Sequence, residues 1–249
     1  MLSLSEFAIP GRLQPMSLTL PAEGITALLG PNGSGKSSLL LGLANLLPFS
    51  GEARFAGQDL RRWSMAAAAC QRTLLPQRGE APLALACHQV IALGAAPLGG
   101  MSPALIRAAG ELSERLEVTG LLARSFGQLS GGEQQRVLLV KTLLQIWPAT
   151  NPAARWLLLD EPLTGLDWHH QLQLLTLLEE LAAGGLAVWL SLHDVNLAVR
   201  HAQQILCLKN GRLLGRGGVE SVDEGLIQAL YGVKTERLLH QGRPLFVSR

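Results

Sequence analysis

Residues Gly30-Pro31-Asn32-Gly33-Ser34-Gly35-Lys36-Ser37 fit the spacing G-x-x-x-x-G-K-[ST], and Ser38 adds a second hydroxyl. That spacing suits a chain of phosphates. Gly33 and Gly35 lack a Cβ, so the backbone can curl with its N–H groups turned inward on an anion. A helix beginning near Lys36 would add the positive end of its dipole at the same place. Lys36 supplies a point charge for the β- and γ-phosphates of a nucleoside triphosphate, and the Ser37 hydroxyl is the expected ligand of Mg²⁺.

A second group is Leu157-Leu158-Leu159-Asp160-Glu161-Pro162, an apolar run that ends in two carboxylates. Open α/β sheets bind their ligands at the carboxyl ends of such strands. Asp160 is expected to hold Mg²⁺ through water, because that ion keeps part of its hydration shell. Glu161 can orient and polarise the water that attacks the γ-phosphate. Phosphoryl transfer needs mainly positioning and charge neutralisation, so one lysine, one metal and one base form a sufficient set. Alone, the acidic pair would read as a solvated strand end. A third group, Leu129-Ser130-Gly131-Gly132-Glu133 followed by Gln134-Gln135-Arg136, has the capping-box pattern, with Ser130 as N-cap and Glu133 three residues on. By itself it is a well-capped helix, although a serine hydroxyl and free amides at a helix start also form an anion site.

The elements that must position these residues follow from periodicity. Residues 2–9 and 16–20 alternate and read as strands, with Pro10-Gly11 and Pro15 in the turn region between them. Residues 25–29 feed the phosphate loop, and 52–55 is a further short strand. From Leu83 to Leu122 the pattern is helical: Ser102-Pro103 opens a helix, residues 94–100 form a loop, and Leu116 to Leu122 continue to a second helix. Helices are expected over 138–147, 172–181 and 224–231, and buried strands over 156–159 and 186–192. Asn210-Gly211 turns a hairpin between 205–208 and 212–214. Strands alternating with helices indicate an α/β domain with a mainly parallel sheet.

Composition narrows the functional classes. The 249 residues can bury a full core, and 48% are hydrophobic while only 16% are charged, against roughly 25% in ordinary soluble domains. A formal charge of +2 without a basic run argues against nucleic acid as a partner. No stretch offers an uninterrupted apolar span, and the first residues lack the basic start and apolar core of a signal peptide. The three cysteines, Cys70, Cys87 and Cys207, are not at metal spacing and read as buried reduced thiols. His169-His170 are adjacent, which does not suit two ligands on one helix face, and a solvated or interface role is expected.

Taken together, the phosphate loop, the Ser130 motif, the Asp160-Glu161 motif and a downstream strand ending in His193 resemble the nucleotide-binding subunit of ATP-binding cassette transporters over nearly the whole chain. The resemblance implies a P-loop NTPase fold: a mainly parallel central sheet, an antiparallel β subdomain and an inserted helical subdomain. It implies one ATP-binding domain over 1–249, with 1–78 and 129–249 as the ATPase core and about 79–128 as the helical part. ATP and Mg²⁺ are the implied ligands. In such proteins two subunits face head to tail, so Ser130, Gly131, Gly132, Glu133 and Asp167 of one copy would meet the nucleotide on the other. By the same resemblance Gln77 reaches Mg²⁺ and the attacking water, and His193 contacts the γ-phosphate. Read alone, Gln77, Asp167 and His193 are ordinary surface residues.

Two departures stand out. The family usually stacks adenine on an aromatic residue before the second strand, and residues 8–16 contain none; Arg12 could stack through its guanidinium plane instead. Ser38 replaces a more usual threonine, with the hydroxyl kept. A single cassette resembles a bacterial importer subunit at the cytoplasmic face of the inner membrane, bound to two integral membrane permease subunits and indirectly to a periplasmic substrate-binding protein. Leu83 to Gly100 is the expected docking surface. The segment 145–155, the missing aromatic and the tail 230–249 resemble the vitamin B12 branch of the vitamin B12 and iron-siderophore importers. Iron-siderophore or haem import, a soluble cassette ATPase of iron–sulfur assembly or DNA maintenance, and a non-catalytic nucleotide sensor are the alternatives. The DNA-maintenance type carries long coiled coils that this chain lacks, and intact Lys36, Asp160, Glu161 and His193 argue against a sensor.

Overall fold

Two sheets share one apolar layer, and the loops after residues 29, 159 and 191 extend from the carboxyl ends of interior strands of the larger. The computed structural model describes residues 1–77 and 84–249. The expected boundary of the helical part at 78–79 and Leu83 of the docking stretch lie outside the described residues.

Strands β1 (Leu2–Ile9) and β2 (Leu13–Leu20) pair antiparallel, and β4 (Ser50–Phe55) and β5 (Gln58–Asp59) extend them in the order β2-β1-β4-β5. Leu2 and Leu4 point inward by simple alternation. A bulge between Leu4 and Phe7, with Glu6 at φ 48°, then resets the register. Pro15 was expected in a turn and instead lies inside β2. An edge strand with one side unpaired tolerates a residue that cannot donate to a ladder.

The six-stranded central sheet runs β10 (Arg212–Gly217), β9 (Gln204–Lys209), β3 (Gly24–Leu29), β8 (Ala187–Ser191), β7 (Trp156–Leu159), β6 (Arg72–Leu75). All its pairings are parallel except that of β10 with β9. Buried on both faces, β7 and β8 read as continuous apolar runs. One face, through Leu28, Leu158, Trp189 and Leu206, packs with helix α1 (Lys36–Leu43) against the antiparallel sheet. There Trp156 stacks on Phe55 with ring centroids 4.6 Å apart and meets Trp189 edge-on at 5.8 Å. The other face, through Ala27, Leu159 and Leu190, packs against helices.

After α2 (Met65–Gln71), those helices are α3 (Cys87–Ala92), α4 (Pro103–Arg115), α5 (Gly131–Gln145), α6 (Trp168–Ala183), α7 (Val195–His201) and α8 (Glu224–Tyr231). Ser102 caps α4 through the Leu105 amide, with Pro103 in the first turn. Helices α5 and α6 start earlier than their apolar periodicity suggested, because Ser130 and Asp167 cap polar first turns.

Two helical expectations need correction. Residues 93–98 form a 3₁₀ turn rather than a loop, held where Gly94 lies so close to α5 that a Cβ would sit 2.1 Å from the Lys141 carbonyl oxygen. The expected second helix near 116–122 is only a 3₁₀ turn at Thr119–Leu121. Glu117 takes φ 53° and the Val118 amide reaches back to the Ser113 carbonyl at 2.7 Å, which ends α4 in a left-handed cap. Cys87 and Cys207 are buried as expected, and burial pushes the Cys207 thiol up to about 12. Cys70 is only half-buried, with its thiol toward the Pro97 carbonyl.

A terminal hairpin, β11 (Thr235–His240) and β12 (Arg243–Ser248), was not anticipated. It turns on Gln241-Gly242, both at positive φ, and lies mostly in solvent.

Candidate nucleotide-binding site

The phosphate loop follows β3 and opens α1. Gly35, at φ 107°, is the N-cap, so Lys36 is the first helical residue, as its spacing predicted. Gly30 takes φ 149° where a Cβ would lie 2.0 Å from the Leu208 carbonyl oxygen, so glycine is required there. Asn32 to Ser38, Arg12, Gln77 and Glu161 all line one open cleft of about 550 Å³. Gly30 and Pro31 lie behind it and present carbonyls to Lys36, whose Nζ donates to them at 2.8 and 3.2 Å. Lys36 is only 5% exposed. Burial pulls its pKa below the ordinary lysine value, while the charges of Glu161 and Asp160 oppose that shift. The buried ammonium therefore rests on backbone oxygens, a weaker set of acceptors than a phosphate chain.

Asp160 and Glu161 extend from β7. Asp160 is buried and accepts a hydrogen bond from Ser191 Oγ at 2.7 Å. Glu161 turns back at φ 51°, its amide donating to the same Ser191 oxygen at 2.7 Å. Positive φ at a non-glycine residue is a local strain of a kind concentrated at working sites. The Glu161 carboxylate meets His193 Nε2 at 2.9 Å. The two expected members of the hydrolytic set thus hold each other at the head of β7 and β8, and Gln77 shares the cleft with Glu161.

Ser37, Gln77 and Asp160 line one adjoining pocket. A hydroxyl, an amide oxygen and a carboxylate, with room for water, form the oxygen-donor set that Mg²⁺ takes. No cluster of three or more His, Cys, Asp or Glu side chains able to hold a metal occurs among the described residues.

The Ser130 motif lies elsewhere. Ser130 caps α5, accepting from the Glu133 amide at 3.4 Å while Glu133 accepts from the Ser130 amide and hydroxyl at 2.8 Å. Ser130, Gly132, Glu133 and Asp167 line a separate cleft of about 320 Å³. A Cβ on Gly132 would sit 2.5 Å from the Gly165 carbonyl oxygen, so glycine lets α5 close on the loop that carries Asp167. Asp167 accepts from the His170 amide and ring at 2.9 and 2.8 Å, while Glu117 meets His169 at 3.1 Å. The adjacent histidines are thus hydrogen-bond partners of carboxylates.

Sequence reasoning missed three participants. Asn210 and Gly211 line the nucleotide cleft, and the Gly211 amide donates to the Ser34 carbonyl at 3.0 Å; only their turn was legible. Ser191 bridges both carboxylate residues, and its one signal was a hydroxyl inside an apolar strand. Ser191→Ala leaves a buried carboxylate oxygen and an amide unpaired, which costs about 1–3 kcal/mol. The expected result is a kcat lowered about 10-fold with ADP affinity within about twofold, and a Tm lowered by several degrees. Steady-state ATPase assays, ADP titration and thermal unfolding check this together.

Comparison with known proteins places these features in context. The family model described as ABC transporter matches residues 13–164. The chain is 40% identical over 222 residues to the vitamin B12 import ATP-binding protein BtuD of Yersinia enterocolitica serotype O:8 / biotype 1B, covering 89% of this chain and 87% of that protein. It is 38% identical over 252 residues to the protein of that name from Salmonella heidelberg (strain SL476), covering 100% and 98%. Among solved structures, an ATP-binding subunit of an ABC transporter superposes with TM-score 0.78 at 22% identity, covering 93% of each chain. A dimeric ATP-binding cassette in a post-hydrolysis state with ADP and Pi gives TM-score 0.75 at 24% identity, covering 88% of this chain and 98% of the other. The last two speak to the fold alone.

Proposed function

The chain belongs to the ABC transporter family, and from that premise we propose that it is the ATP-hydrolysing subunit of a bacterial importer for vitamin B12. The observation that carries the proposal is end-to-end similarity to vitamin B12 import ATPases together with Lys36, Gln77 and Glu161 in one cleft.

The residues divide the work. Asn32 to Ser38 wrap the phosphates with backbone amides, and Lys36 exchanges the carbonyls of Gly30 and Pro31 for phosphate oxygens. Arg12 stands at the rim, where its guanidinium plane can lie on the base. Glu161 takes a proton from the attacking water, Gln77 orients that water, and His193, which lines a neighbouring pocket with Glu161, leaves Glu161 to donate to the γ-phosphate. Ser37, Gln77 and Asp160 would hold Mg²⁺, Asp160 through water. The ion supplies neutralisation of charge on the phosphoryl oxygens.

Ser130, Gly132, Glu133 and Asp167, with Gly131 beside them at the start of α5, are assigned to the nucleotide of a second copy; the cleft that the four line has no residue in common with that of the phosphate loop of their own chain. The functional unit is then a head-to-tail homodimer. No helix among the described residues is long and apolar enough to cross a membrane. We assign the membrane path to two permease subunits, to which a periplasmic binding protein delivers the cargo. The assigned place is the cytoplasmic face of the inner membrane. Half-exposed Leu93, Met101 and Ile106 lie around the 3₁₀ turn and α4, on and beside the expected docking stretch. We divide the single domain into a core and an inserted helical part centred on α3 and α4.

The test is complementation. In a bacterium lacking its vitamin B12 import ATPase, this chain is expected to restore ATP-dependent uptake of labelled cobalamin. No uptake, together with co-purification of an iron-siderophore or haem permease, would reassign the cargo.

A further inference from the structure

Tyr231, the one tyrosine of the chain, ends α8 far along the sequence from the phosphate loop and yet touches it. Its hydroxyl accepts a hydrogen bond from the Gly30 amide at 3.0 Å. Gly30 is the hinge at which β3 gives way to the loop, and it has no room to relax: β9 lies against one side and Ser34 Oγ would be 2.7 Å from any Cβ. The same end of α8 is tied to β9 beside the cleft, where Lys209 Nζ donates to the Ala229 carbonyl. The turn just after Lys209 donates through Gly211 to Ser34. Two routes therefore run from the end of α8 to the back of the loop, one to its first residue and one to its middle.

Beyond Tyr231 the chain reverses at Gly232, φ 73°, into the terminal hairpin. A two-stranded hairpin is marginal alone, and this one is fastened at two points. Asn196 exchanges paired hydrogen bonds with the Phe246 backbone, at 2.8 and 3.0 Å, and the Arg237 amide donates to Glu224 at 2.8 Å. Asn196 lies in the first turn of α7, three residues after His193. The fastening thus joins the hairpin to the helix that follows the proposed γ-phosphate contact.

We propose that Tyr231 is a positioning residue for nucleotide binding: its hydroxyl fixes the first residue of the phosphate loop, and the terminal hairpin, clasped to α7, seats it. The proposal rests on the ATPase reading above and adds a residue that does not line the cleft. The phenol stays neutral through the working pH range, because burial pushes its pKa up to about 12, against the hydrogen bond from Gly30, which pulls it down. It therefore remains a dependable acceptor for Gly30.

Tyr231→Phe in the full chain removes the hydroxyl and keeps the ring. Expected are faster exchange of the Gly30 amide in the nucleotide-free protein, a KM for ATP raised about 3- to 10-fold, kcat within about twofold, and a Tm lowered by a few degrees because the buried Gly30 amide loses its partner. Asn196→Ala, which opens the clasp and loosens the seat of an unaltered Tyr231, should raise KM in the same direction by less. Unchanged Gly30 exchange and KM in Tyr231→Phe would overturn the proposal. A joint fall in kcat and Tm without a change in KM would overturn it too, leaving Tyr231 a packing residue. If the wild-type chain hydrolysed no ATP, the ATPase reading would fail while amide exchange still decided the role of Tyr231.

Discussion

Replacing Glu161 with glutamine is expected to lower kcat about 100-fold or more while ATP affinity stays near that of the wild type. The substitution is nearly isosteric and removes the capacity to take a proton together with the charge that Glu161 presents to Lys36. The Glu161 backbone, at φ 51° with its amide on Ser191, is held independently of the side chain. A glutamine oxygen can still accept from His193 at the observed 2.9 Å. The pocket should therefore keep its shape and its nucleotide, and lose the base. Phosphate release measured beside calorimetric ATP binding separates the two quantities. Hydrolysis within about fivefold of wild type would move the base elsewhere.

Lys36→Ala should produce the opposite pattern: ATP affinity falling about 100-fold or more, with hydrolysis lost as a result. A hydrogen bond to a charged group is worth about 1.5–3 kcal/mol, and Lys36 offers several to the phosphates from a buried position. Stability should not fall with affinity. In the nucleotide-free protein the ammonium is desolvated and stands at the positive end of α1, both unfavourable for a cation. The expected Tm is equal to or slightly above that of the wild type. Unchanged nucleotide binding would refute the phosphate-loop assignment.

Much of the site was legible because its chemistry is local in sequence. Gly30 to Ser38 and Ser130 to Glu133 each build their geometry from neighbouring residues, so spacing alone encodes the loop and the cap. The pairing of Glu161 with His193 and the Ser191 bridge depend on β7 lying beside β8, which no local pattern records. The same limit applies to the fold. Strand β7 announces itself as an apolar run, whereas β6 opens with Arg72 and Thr73 and hides as a strand. Arg72 is buried with its guanidinium over the Trp63 ring, donating to the Ala44 carbonyl. Strands β11 and β12 pair only with each other and leave most side chains in water, so they lack the alternation that reveals a half-buried strand. The helix expected over 116–122 failed for a different reason: its leucines keep helical spacing, but Glu117 turns left-handed and ends the helix first.

Lys36 and Ser130 line clefts that have no residue in common. On the head-to-tail reading this shapes how defects are inherited. A copy with a ruined phosphate loop still offers an intact Ser130 cleft, and a copy with a ruined Ser130 cleft still offers an intact loop. Paired together, they assemble one site in which both halves are sound and one in which both are broken. Two alleles that are each silent alone would then complement each other within a single cell.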